Sequence, residues 1–277
     1  MRRIPLWAGA LPLFAASAAS AQFITPVEGT RSATGTISAT DPVTNVVDED
    51  SRRTYGFEDF NESRSVHANT RYEGSPSRVD ANGSGTETSS ITGSRIQASV
   101  TAFAEGVSLD PAARGYATGN ADFYLTFHVG RLARFVAAGD ARADKGGQAW
   151  GGSASLVHIA NIDSGVPVLS IDIGHTDADS VRRRGWVPAG PYTLQGDVSA
   201  LVDARDSLSG TAFASWTLDF QLFCPADYDT NGAVNTTDRD AFLNAWNAGS
   251  RDADVNGNGA VDTGDRTTYL LAFSAGC

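Results

Sequence analysis

Between residues 227 and 238 the chain reads "DYDTNGAVNTTD": acids or amides at 227, 229, 231 and 235, one glycine at 232, and an aspartate closing the stretch. Twenty-seven residues later the pattern returns at 254–265 as "DVNGNGAVDTGD". Side chains of these types at this spacing can wrap a hard divalent cation. Calcium takes about six to eight oxygen ligands, and a loop presenting positions 1, 3, 5, 7, 9 and 12, with glycine at 6 for the sharp bend, supplies them. The first loop then offers Asp227, Asp229, Asn231, the carbonyl of Ala233, Asn235 directly or through water, and Asp238. The second offers Asp254, Asn256, Asn258, the carbonyl of Ala260, Asp262 and Asp265, and Gly232 and Gly259 occupy position 6. Two Ca²⁺ ions are the cofactors this arrangement calls for.

Aspartate and asparagine also mark ordinary turns, but two copies in register weigh against that explanation. The correspondence continues past the loops: Val234 with Val261, Arg239 with Arg266, Phe242 with Tyr269, Leu243 with Leu270, Trp246 with Phe273. Aromatic residues four apart predict an amphipathic helix after each loop. The valines at position 8 are expected to turn from the ion into a small core. From Cys224 to Cys277 there are eight aspartates and three arginines, net −5, which two Ca²⁺ would bring to −1. Without metal, those carboxylates repel one another at short range.

No helix pattern leads into either loop: Asp227 follows a strand pattern ending in Cys224-Pro225, and Asp254 follows "NAGSRDA". Loop plus exiting helix, twice, with aspartate at position 12, resembles the type I dockerin module. Opened by "CPAD" and closed by "SAGC", it is similar to the modules ending secreted GC-type dockerin domain-anchored bacterial proteins. The resemblance covers residues 224–277. It implies attachment to a cohesin-like or cell-surface scaffold protein, read by loop positions 10 and 11. These are Thr236 and Thr237, then Thr263 and Gly264; the copies differ there, which argues against a symmetric binding mode.

The elements that must carry this module come before it. "MRRIPLWAGALPLFAASAASAQ" has two arginines, an apolar run and small residues at 19–21, the layout of a cleavable secretory signal. Residues 1–21 are therefore expected to be removed and the protein secreted, extracellular or attached to a cell surface. The apolar run is too short and too interrupted by Pro5 and Pro12 for a membrane span, and no later stretch is apolar enough. Without Arg2 and Arg3, 19 basic residues face 32 acidic ones, net −13, which disfavours nucleic acid and anionic lipid as partners. Cys224 and Cys277, the only cysteines, stand at the two ends of the repeat; in an exported chain, two make one bridge.

Residues 22–53 are rich in Ser, Thr, Asp and Gly and read as a flexible leader or an edge strand. From about 54 to 223 the period is two. Ile96, Ala98, Val100, Ala102 and Ala104 share a face, as do Phe123, Leu125, Phe127 and Val129, and Ala214, Trp216, Leu218, Phe220 and Leu222. Further strands are predicted at "SLVHIANI", "PVLSIDI" and "PYTLQGDVSALV". Short strands at this spacing predict a mainly β fold, an antiparallel β-sandwich or jelly roll, with the small α-helical calcium-binding module appended. The alanine-rich inner faces suggest closely packed sheets.

Inside the β region, Asp172, His175, Asp177 and Asp179 gather in "DIGHTDADS", and Trp150, Trp186 and Tyr192 could form an aromatic platform for sugar rings. Solvated turns and core packing are the commoner roles for such residues. His67, His128 and His158 have no ligand spacing. No nucleophile elbow, HExxH or phosphate loop occurs, although a pair of glycosidase carboxylates would leave no local signature. The sequence favours a non-catalytic β-sandwich protein displayed through the module. The alternative is a carbohydrate-active enzyme or sugar-binding protein, with polysaccharide as partner, carried on the same module.

Overall fold

Alternation of small apolar and polar residues builds twelve antiparallel strands among the residues that the computed structural model describes, which are 23–40, 45–56, 60–71, 78–109, 111–174 and 177–276; the side chains of 60–71 and 78 are outside that description. The strands are β1 (Ile24–Thr40), β2 (Asn45–Tyr55), β3 (Phe60–Arg71), β4 (Arg78–Ile91), β5 (Arg95–Ser108), β6 (Arg114–Val129), β7 (Ala133–Gly147), β8 (Trp150–Asn161), β9 (Pro167–Gly174), β10 (Asp177–Val187), β11 (Gly190–Ala204) and β12 (Ser209–Phe223). They form two six-stranded sheets, β2-β1-β6-β11-β8-β9 and β10-β7-β12-β5-β4-β3. The inner faces of both sheets join in one buried cluster, so the sequence expectation of an antiparallel sandwich is met. Two helices follow, α1 (Thr236–Asn247) and α2 (Thr263–Ala275). No helix of the described residues is long and apolar enough to cross a membrane.

The sandwich is graded along its strands. At one end the inner positions of β6 are Gly115, Ala117, Gly119 and Ala121; at the other they are Phe123, Leu125, Phe127 and Val129. Small residues on β4 and β12 meet the small end, and a Cβ on Gly83 or Gly85 would run into the backbone of Thr118 or Asn120 on β6. There the layers touch backbone to backbone, closer than the usual sheet spacing of about 10 Å. At the wide end Trp216, Phe220, Phe135, Phe127 and Tyr192 fill the gap, with Tyr192 stacked on Phe127 at 5.7 Å between centroids. The expected close packing therefore holds at one end only.

The sandwich also begins earlier than the sequence indicates. Residues 22–53 were expected to be a leader or an edge strand, and β2 is an edge strand, but β1 lies inside its sheet between β2 and β6. Its inner positions Arg31, Ala33, Ile37 and Ala39 are buried. Apart from Ile37, that inward face carries glycine, alanine and one arginine, too little hydrophobicity to mark the strand in sequence. Residues 1–21, where a secretory signal is expected, lie outside the described residues.

Candidate metal centre

Each repeat folds into the same loop, because nearly all of its hydrogen bonds are local. In the first, the Asp227 carboxylate accepts from the backbone N–H groups of Asn231 (3.0 Å) and Gly232 (2.8 Å). Asn231 Oδ1 accepts from Ala233 N (2.8 Å), and Asp238 accepts from Asp229 N (3.1 Å) and Asn235 N (2.9 Å). In the second, Asp254 accepts from Asn258 (3.1 Å) and Gly259 (2.9 Å), Asn258 from Ala260 (2.8 Å), and Asp265 from Asn256 (3.1 Å) and Asp262 (2.9 Å). Gly232 and Gly259 both have φ = 87°, a left-handed conformation that glycine adopts without a steric penalty.

The last two candidate ligand positions also start the helices. Asn235 and Asp262 are the N-caps of α1 and α2, and with Asp238 and Asp265 at N3 they close a capping box at each helix. Position 12 is thus fixed by the helix start as well as by the loop. Asp238 and Asp265 are fully buried and Asp227 nearly so. Carboxylate oxygens of Asp227, Asp229 and Asp238 lie within 4.8 Å of one another. Burial pushes the Asp227 carboxyl up from its ordinary value, the Gly232 and Asn231 N–H groups pull it down, and the charges of Asp238 and Asp229 push it up again. A cation in the loop would relieve that repulsion, so the residues present fit a Ca²⁺ ion. Thr236, Thr237, Thr263 and Gly264, the residues implied for partner recognition, are exposed in the first turns of the two helices.

The two loop-helix units meet through their matched aromatics. Phe242 and Tyr269, both fully buried, stack at 3.9 Å, and the Trp246 indole N–H donates to the carbonyl of Asp262 (2.6 Å). Val261 packs against this cluster, but Val234 is 39 % exposed, so only one of the two position-8 valines reaches the core. No described cysteine is free, and Cys277 lies outside the described residues.

The small core is not separate from the sandwich, contrary to what the pattern suggests. Leu132 and Trp186 from the β region pack against it. Beside them Arg134 of β7, fully buried, is sandwiched between the rings of Trp186 (4.8 Å) and Tyr228 (4.3 Å). Its Nη2 donates to both carboxylate oxygens of Asp252 (2.9 and 2.8 Å), and its Nη1 donates to the Asp252 carbonyl (3.2 Å). The Trp186 indole N–H donates to that same carbonyl (2.9 Å), and the Tyr228 hydroxyl donates to the carboxylate (3.2 Å). Burial and the Asp252 charge push the Tyr228 phenol up to about 12. Asp252 sits in a short 3-10 turn, Arg251–Ala253, that ends where the second loop begins. Sequence reading missed this clamp, since Arg134 and Asp252 are 118 residues apart.

The other candidates do not assemble. Asp172, Asp177 and Asp179 are exposed, His175 lies outside the described residues, and the only carboxylate cluster with metal-ligand spacing among the described residues is that of the first loop. The side chain of His67 is not described, and His128 and His158 sit on separate strands. Tyr192 is buried and Trp186 is held by Asp252, so only Trp150, 69 % exposed, stands free of the aromatic platform. A cleft of about 830 Å³ between the β8–β9 connection, β10 and the second loop contains Arg182, Arg183 and Arg184 but one carboxylate, Asp163.

No protein-family model matches the chain, and no curated protein matches it. Among solved structures, TmCBM61 in complex with beta-1,4-galactotriose aligns at 14 % identity over 42 % of this chain and 73 % of that one, with a TM-score of 0.20. The enzymatically active domain of bacteriophage CBA120 tailspike protein 4 aligns at 13 % identity over 58 % of this chain and 19 % of that one, TM-score 0.19. The infectious bursal disease virus VP2 subviral particle aligns at 9 % identity over 92 % and 79 %, TM-score 0.15. Superpositions this poor carry no argument about ligand or activity.

Proposed function

We infer that the chain is a secreted, non-catalytic β-sandwich protein displayed through a C-terminal dockerin-like module that holds two Ca²⁺ ions. The observation that carries this is the recurrence of one hydrogen-bond pattern around two sets of oxygen ligands 27 residues apart. The first set gathers three carboxylates within 4.8 Å. Oxygens bound to one Ca²⁺ at about 2.3–2.6 Å can lie at most about 5 Å apart, so that spacing suits a single ion. Titration calorimetry of the full chain with CaCl₂ is expected to give two sites. The first loop should be the tighter, because its three carboxylates, Asp227, Asp229 and Asp238, all stand at the direct positions 1, 3 and 12, whereas the second has two there, Asp254 and Asp265, and its third, Asp262, stands at position 9, which often binds through water. Asp227→Ala and Asp254→Ala should each remove one site; a stoichiometry below two for the unaltered chain refutes the reading.

In this reading the exposed Thr236, Thr237, Thr263 and Gly264 meet a cohesin-like or surface scaffold protein. A Cys224–Cys277 bridge ties the ends of the module together. Closing a loop of that length stabilises a fold by roughly 4 kcal/mol on the chain-entropy estimate, and a core this small gains much from such a tie. Non-reducing digestion of the exported protein should yield the two cysteines in one linked peptide. Recovery of both as alkylatable thiols rules the bridge out.

A further inference from the structure

Two edges of the sandwich match each other in length and in charge. Strand β2 ends one sheet and β10 ends the other, and both are 11 residues long. β2 leaves Val46, Val47 and Tyr55 in water, at 39, 63 and 71 % exposure. An exposed apolar edge of this kind is a template for pairing with another chain. It also carries three consecutive acids, Asp48, Glu49 and Asp50, whereas β10 carries three consecutive arginines, Arg182, Arg183 and Arg184, in a protein of net charge −11.

Laid antiparallel and flush, with Asn45 opposite Val187 and Tyr55 opposite Asp177, the two strands oppose Asp48 to Arg184, Glu49 to Arg183, Asp50 to Arg182 and Arg53 to Asp179. Every charged pair in that register is attractive except that Arg52 faces the neutral Ser180, and Val46 faces Trp186. Residues directly opposite on an antiparallel pair have Cβ atoms about 4.5–5.5 Å apart, close enough for opposite charges to stabilise the pair. A slip of one residue leaves two attractive charge pairs in one direction and three in the other, against four in the flush register, and turns each side chain to the other face.

The topology permits the pairing. Every described pairing joins an odd-numbered to an even-numbered strand, antiparallel. Each connection between consecutive strands is short, so the chain reverses at each, and β2 and β10 run in the same direction within one copy. A half-turn about an axis between the layers and perpendicular to the strands, combined with a shift along that axis by about one sandwich width, exchanges the sheets and reverses every strand. It brings β10 of a second copy antiparallel onto β2, and β9 onto β3. The edge of β10 borders the 830 Å³ cleft, which leaves space on that side. Arg184 reaches Asp252 at 3.3 Å, and among the described residues no carboxylate pairs with Arg182 or Arg183.

We propose that this chain associates head to tail with copies of itself, β2 of one pairing with β10 of the next. The contact uses different surfaces on its two sides, so repetition adds copies without a fixed limit unless a ring closes. Sedimentation equilibrium of the full chain at about 0.15 M salt, where the Debye length of roughly 8 Å screens repulsion between copies, is the test. The mass of the unaltered protein should rise with concentration past that of a dimer. A variant with Arg182→Glu and Arg183→Glu should stay monomeric, as should one with Glu49→Arg and Asp50→Arg. The chain carrying all four substitutions should associate again, because the charges are exchanged in register. A monomer at all concentrations, association that survives either double substitution, or no recovery in the four-fold variant overturns the proposal, and the edge charges then serve only to keep the edges apart.

Discussion

Asp252→Ala is expected to cost the folded chain about 3–5 kcal/mol, the range for removing one partner of a buried ion pair. Arg134 is fully buried, and in the variant its guanidinium keeps its charge but loses both carboxylate contacts. The rings of Trp186 and Tyr228 on either side cannot replace a counter-ion. Arg134→Met removes the charge itself and puts a flexible apolar side chain between the rings, so it should cost less. The comparison is made by denaturant unfolding followed through tryptophan fluorescence, with Trp186 and Trp246 lying at the small core and Trp216 in the sandwich. If Arg134→Met proves as damaging as Asp252→Ala, the clamp acts through packing, and its charge pairing is incidental. On the proposed calcium reading the clamp has a second effect: Asp252 sits in the turn that leads into Asp254, so Asp252→Ala should weaken the second loop's affinity more than the first's.

The second large effect is a dependence of stability on pH set inside the sandwich. Glu87 of β4 is fully buried. Desolvation pushes its carboxyl from 4.5 up to about 7, only partly offset by the Ser89 hydroxyl and the charge of Arg31 across the layers. The folded state therefore holds this proton more tightly than the unfolded chain does. Its contribution is greatest below about pH 4.5, falls as pH rises from 4.5 to 7, and stays at its lower level above 7. At 1.36 kcal/mol for each pH unit, the loss across that window is about 3 kcal/mol. Unfolding free energies of the unaltered protein and of Glu87→Gln, measured from pH 4 to 8, should diverge in slope by that amount. Parallel profiles would mean that Glu87 keeps an ordinary carboxylate affinity despite its burial.

These two sites mark where the sequence is silent. A strand is legible when its inward residues are bulky, as with Phe123, Leu125 and Phe127 on β6 or Trp216, Leu218 and Phe220 on β12. It is illegible when the inward set is Val79, Ala81, Gly83, Gly85, Glu87 and Ser89, as on β4. Those six residues look like a solvated loop in sequence. They form core because the opposite layer, with Thr118 and Asn120 on β6, comes so near that nothing larger fits. Arg31 on β1 hides its strand too, since an arginine reads as a solvent residue and only the fold places the buried Glu87 near it.

The loops are the opposite case. Each hydrogen bond that shapes them spans no more than nine residues, so spacing and residue type suffice, and the glycine at the sixth position, the capping box and the helix that follows can all be read from twelve letters. By itself the sequence determined the two loops, their helices and the period of most strands, because each is an arrangement of near neighbours. Only the tertiary structure decided that Arg134 would meet Asp252, that β1 would lie inside its sheet, and that β2 and β10 would be left as open edges. Those are relations between residues tens to more than a hundred positions apart, set by which faces must leave water together, and no local spacing encodes them.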